Sequence, residues 1–156
     1  RDADGIRALA RNNFKAPETC KLIMTPHLGE YSALVESFSQ DIDQTTPQNW
    51  LDTLVKVKEK TNAYAIAVKA NTVWLAINDN LLVVDGQNPS LGVAGSGDVL
   101  SGLVTALVAG GFERATENAI LLHQKAGQLA QNKLGFYSSD ELIKYIGLQR
   151  KGQKED

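Results

Sequence analysis

The hydrophobic positions of this chain change period as they run, and each change marks an element. Arg1-Asp2-Ala3-Asp4-Gly5 reads as the exit of a strand, and Ile6 to Asn12 as a short helix. Lys21 to Met24 is a brief apolar strand. It ends at Thr25-Pro26, where threonine as N-cap and proline at the first helical position predict a helix from about His27 to Ser37. Ser39 to Gln48 is polar and turn-rich, a loop; Pro47 then opens a helix over Gln48 to Thr61 with Trp50, Leu54, Val55 and Val57 apolar and Lys56, Lys58 and Lys60 on the solvated side. Tyr64 to Lys69 alternates, Thr72 to Ile77 is continuously apolar, and Asn78-Asp79-Asn80 turns the chain back into Leu81 to Val84 as a hairpin.

After a loop over Asp85 to Ala94 the period becomes helical and stays so. Ser96 to Val108 is apolar nearly all round, which predicts burial on every side, and Gly110-Gly111 ends it. Arg114 to Lys133 follows with Ala119, Leu122, Ala126, Leu129 and Ala130 as its stripe. Ser138-Ser139-Asp140-Glu141 resembles a capping box before a last helix through Ile146, and Gln149 to Asp156 is a charged, mobile tail. Strands alternating with helices, then helices alone, predict an α/β layered domain whose final helices pack on the sheet.

Composition narrows the function. The chain has 156 residues, 43% hydrophobic and 22% charged, with a net charge of −2, so neither nucleic acid nor a membrane surface is an expected partner. One cysteine, Cys20, and two histidines exclude a disulfide framework and argue against a metal centre. Cys20 is expected to be a small buried residue, and a reducing, cytoplasmic setting fits. No apolar run is long enough to span a bilayer. The chain begins at Arg1 rather than methionine, which reads as a fragment, a processed product or a trimmed piece.

Ala94-Gly95-Ser96-Gly97-Asp98-Val99-Leu100 is the strongest chemical signal. Glycines let the backbone turn sharply and let an anion approach, the helix N-terminus adds about half a positive charge, and Asp98 sits where it could take a proton from a hydroxyl meeting a phosphoryl group. The same residues serve equally well as plain helix capping. In Thr25-Pro26-His27-Leu28-Gly29-Glu30, His27 falls at the C-terminal edge of a strand, where open α/β sheets place ligands, or is an exposed histidine at a capped helix start. Lys69 ends a strand and either pairs with ligand charge or is solvated. Asp2 and Asp4 could share a site. His123, in a mostly apolar helix, reads as a packed or boundary residue, and Trp50 and Trp74 as core or rim aromatics.

Taken in order, Asp2-Ala3-Asp4-Gly5, Met24-Thr25-Pro26-His27-Leu28-Gly29-Glu30, Val68-Lys69-Ala70-Asn71-Thr72-Val73, Asn88-Pro89 and Ala94-Gly95-Ser96-Gly97-Asp98-Val99-Leu100-Ser101-Gly102 resemble the ADP/ATP-dependent NAD(P)H-hydrate dehydratases. The resemblance runs from Asp2 to about Ala130. It implies a ribokinase-like fold, with residues 1–148 as the C-terminal part of the domain and 149–156 as its tail. It implies dehydration of hydrated NADH or NADPH at the expense of ADP or ATP, with Mg2+ alongside. In that scheme Asp98 is the base and also touches the substrate, Gly95, Ser96 and Gly97 hold the transferring phosphoryl group, His27 contacts the hydrated nicotinamide nucleotide, and Lys69, Ala70, Asn71 and Thr72 line the adenine nucleotide.

The chain departs from the family pattern in three places. It resembles only the C-terminal half of a typical member. Lys69-Ala70 stands for a Lys-Gly, one residue short, and Gln87 stands for a glycine before Asn88-Pro89. The first departure predicts pairing with an N-terminal portion, pairing with another copy as a homo-oligomer, or no stable fold; the other two predict weaker nucleotide binding. A small-molecule kinase of the same fold, such as a vitamin-precursor kinase, and a catalytically inactive binding module are the alternatives.

Overall fold

The computed structural model describes residues 4–12, 14–38, 50–86 and 88–149, and the chain forms two compact units, Arg1–Val83 and Val84–Asp156. The first unit holds helices α1 (Asp4–Arg11), α2 (Leu28–Ser37) and α3 (Trp50–Thr61) and strands β1 (Ile23–Met24), β2 (Ala65–Lys69) and β3 (Thr72–Ile77). Strand β4 (Asn80–Asp85) carries the chain into the second unit, which holds a 3-10 turn at Pro89–Gly92 and helices α4 (Ser96–Ala109), α5 (Ala115–Leu134) and α6 (Ser139–Gln149).

The sheet is mixed, in the order β1-β2-β3-β4: β1 runs parallel to β2, and β2 antiparallel to β3. β2 explains the arrangement. Ala65, Ile66, Ala67 and Val68 are all fully buried, so this central strand has apolar cover on both faces, which corrects the expected alternation. Ile66 and Val68 pack with Met24, Tyr31, Leu34, Leu54 and Val57 into one core, and Trp50 and Trp74 close its rim with ring centroids 5.2 Å apart. Asn78 takes the left-handed conformation (φ 50°) that the tight β3–β4 turn requires, and asparagine tolerates it.

The second unit has its own core, in which Ala126, Ala130, Tyr137 and Leu142 pack with Leu91, Val93 and Val99. Its α4 corrects one expectation: only Ser96, Leu100 and Val104 are buried. They recur every fourth residue and form a single stripe, while Gly102, Thr105 and Ala106 face solvent. Cys20 is likewise exposed, not buried, because it lies in the turn before β1 and outside the core. Among the described residues no helix is long and apolar enough to cross a membrane. The expected loop at 39–48, the side chains of Asp2 and Asp4, Gln87 and the tail beyond residue 149 lie outside the described residues.

Candidate functional site

Two groups of expected site residues take shape, one in each unit. In the first, the backbone amide of Lys69 donates to the Pro26 carbonyl at 2.7 Å, and His27 pairs with Lys69 as a parallel bridge. This continues the β1–β2 register past the end of β1 and sets the two residues side by side at the C-terminal edge. It also corrects the expected helix start. Thr25 and Pro26 stay extended because Lys69 occupies the Pro26 carbonyl, so the N-cap of α2 is His27 (φ −78°, ψ 171°).

His27 caps through its ring. Nδ1 accepts from Gly29 N–H at 3.0 Å and Glu30 N–H at 3.3 Å, which leaves the proton on Nε2, and Nε2 faces Glu30 Oε1 at 3.3 Å. Glu30 Oε2 accepts the His27 backbone N–H at 2.8 Å, completing a capping box with histidine in the usual Ser/Thr place. Gly29 makes room, since a Cβ there would lie 3.0 Å from His27 Cε1. The His27 side chain is 54% exposed and the Glu30 side chain 4%. A ligand therefore meets a ring whose nitrogens are both engaged. It can touch the ring face and edge, and a buried carboxylate holds that ring in place. Glu30 had no expected role of its own, and the structure shows it holding His27; its place three residues after a polar cap was the available signal.

The turn from Lys69 to Val73 exposes Ala70 and Asn71, with Lys69 and Thr72 half-buried. Ala70 does not take a left-handed φ, so alanine in place of glycine brings no backbone strain here.

The second group is the turn into α4. Gly95 is its N-cap at φ 83°, in the left-handed region, and a Cβ there would lie 3.0 Å from Ser139 Oγ at the start of α6. Both conditions favour glycine. Ser96 N–H is spent on the Val93 carbonyl at 3.2 Å, and Val99 N–H on the Gly95 carbonyl at 3.0 Å. The amides of Gly97 and Asp98 lie between them in the first helical turn, where N–H groups have no partner inside the helix. Asp98 is exposed at the same end. The arrangement offers an anion two amide donors, the helix dipole and a neighbouring carboxylate able to hold a proton.

Below the turn, His123 of α5 is buried and its Nε2 lies 2.9 Å from the Ser96 carbonyl oxygen. The expectation of a packed residue holds, but its polar contact was not foreseen. The loop ahead of the turn is held by Asn88, whose side-chain amide donates to the Gln124 carbonyl at 3.2 Å, and by Ser90, which bonds Asn88 and lies 2.9 Å from the Tyr137 hydroxyl. Among the described residues no group of three or more His, Cys, Asp or Glu side chains could hold a metal ion.

A family model described as NAD(P)H-hydrate dehydratase matches residues 1–148. The chain is 29% identical, over 99% of its length, to a bifunctional NAD(P)H-hydrate repair enzyme Nnr from Thermofilum pendens, and covers 30% of that protein. It is 31% identical, over 74% of its length, to an ADP-dependent (S)-NAD(P)H-hydrate dehydratase from Nitrosopumilus maritimus, and covers 39% of it. Among solved structures, a ribokinase-like superfamily protein from Enterococcus faecalis V583 superposes with a TM-score of 0.76 at 20% identity over 96% of this chain and 51% of that one. The fold is therefore ribokinase-like, and the chain spans about a quarter to two-fifths of the curated relatives' length.

Proposed function

The chain belongs to the NAD(P)H-hydrate dehydratase family, and from that premise we propose that it takes part in the nucleotide-dependent dehydration of hydrated NADH or NADPH. The observation that carries the reading is the left-handed Gly95 turn that opens α4 with two unspent amides and an exposed Asp98.

In the proposed reaction the ring hydroxyl of the substrate attacks the terminal phosphoryl group of ADP or ATP. Asp98 receives the hydroxyl proton, and AMP or ADP departs. Phosphate then leaves the ring, with loss of a neighbouring ring proton, and the nicotinamide double bond re-forms. Backbone amides of Gly95, Ser96 and Gly97 were the expected cradle; with Ser96 N–H donated to Val93, Gly97 and Asp98 are the donors best suited to the phosphoryl oxygens. Lys69, Ala70, Asn71 and Thr72 are proposed for the adenine nucleotide, and the fixed ring of His27 for the hydrated nicotinamide. Magnesium would enter bound to nucleotide phosphates, and no step here depends on it.

We place the reaction in the cytoplasm, in keeping with an unpaired cysteine. We also propose that the chain associates, with further polypeptide or a second copy, because Phe112, Leu121, Leu134, Phe136, Ile143 and Leu148 are exposed apolar side chains on one unit. Incubation of hydrated NADH with ADP or ATP tests the function. Recovery of NADH absorbance with equimolar phosphate supports it; a stable phosphorylated product would instead identify a small-molecule kinase.

A further inference from the structure

We infer that His123 is a positioning residue: it grips the Ser96 carbonyl and thereby aims the Gly97 amide at the phosphoryl group. The inference rests on the cradle reading above. It starts from one contact, His123 Nε2 at 2.9 Å from the Ser96 carbonyl oxygen, with both residues buried. A carbonyl only accepts, so Nε2 carries the proton and donates it.

The Ser96 carbonyl and the Gly97 N–H are two ends of one planar trans peptide, and they point in opposite directions. Holding the oxygen on the inner side turns the N–H outward, along the free end of α4. The hydrogen bond also polarises that peptide and makes its N–H a better donor. Ser96 and Gly97 lie at the start of α4, whose helical bonding already orients this peptide, and His123 adds a second hold on the same carbonyl from outside the helix. The neighbouring amide is already fixed by the Ser96–Val93 bond. His123 supplies the anchor from α5, on the face that carries the buried Ala119, Ala126 and Ala130. It touches neither nucleotide nor substrate in this scheme and acts only through the peptide.

Three measurements test this. Nitrogen-15 NMR of the histidines in the unaltered chain should show His123 as the neutral Nε2–H tautomer; the Nδ1–H tautomer would overturn the inference without any variant. In calorimetry His123→Leu should weaken ADP binding by about tenfold, the scale of one lost hydrogen bond, with adenosine binding unchanged, and His123→Gln, whose amide can still donate, should recover most of the loss. Equal weakening for ADP and adenosine would indicate a merely structural role and overturn it. Should the unaltered chain bind no ADP, the functional reading fails by itself. The Gly97 amide resonance then decides the inference: it should move in His123→Leu and return in His123→Gln, and an unmoved resonance would overturn it.

Discussion

The corner at His27 and the turn at Gly95 are both helix starts, yet they spend their polar groups in opposite ways. At His27 the side chain, the following amides and the Glu30 carboxylate all bond to one another, and the corner is closed. At Gly95 no side chain caps the helix, the Gly97 and Asp98 amides have no helical partner, and Asp98 is exposed. A helix start that satisfies itself makes a rigid wall, whereas one that leaves donors unspent makes a binding surface. The stability of the first and the reactivity of the second should therefore respond separately to substitution.

The largest separation is expected from Asp98→Asn. Loss of the proton acceptor should lower turnover by about a hundredfold to ten-thousandfold, with ADP binding by calorimetry kept within a few-fold; unchanged turnover would remove Asp98 from its role. Gly95→Ala should cost about 1–2 kcal/mol for a left-handed alanine, lower the melting temperature by a few degrees and crowd Ser139, and its ADP affinity should fall as well. His27→Ala should cost about 1 kcal/mol as a lost cap, whereas His27→Asn, which still accepts the first-turn amides, should retain most of it. Thermal melts of the pair check this, and equal losses would contradict the cap assignment.

The smallest effect is expected at α6, a third self-satisfied start. Glu141 accepts Ser138 N–H at 2.7 Å and the Ser138 hydroxyl at 3.1 Å. These bonds, the backbone one foremost, hold its carboxyl below the usual value. A carboxyl lowered on folding stabilises above its unfolded-state value and loses that contribution as pH falls through its folded-state value. Hydrogen-exchange protection in the first turn of α6, corrected for intrinsic rates, should therefore fall over that acid window, and Glu141→Gln should remove the dependence.

The sequence was most legible where local chemistry alone decides. Thr72 to Ile77 is read at its observed bounds, α4 begins at the expected Ser96, and the Ser138 to Glu141 box forms as its pattern implies. It misled where a distant partner competes. Thr25-Pro26 has the chemistry of a helix start, but strand pairing to Lys69 keeps it extended and passes the cap to His27. The apolar residues of α4 suggested burial all round; the available neighbours cover one stripe. His123 did carry a signal, a polar residue spaced four, three and seven from Ala119, Ala126 and Ala130 on a buried helix face, but its acceptor on another helix cannot be read from spacing.

The central claim, that the Gly95 to Asp98 turn is a phosphoryl cradle, is tested most directly by following the backbone amides of this chain during titration with ADP and, separately, adenosine. Saturable shifts of the Gly97 and Asp98 amides with ADP, absent with adenosine, are the predicted result. Amides that stay in place at millimolar ADP, or that respond equally to adenosine, would contradict it.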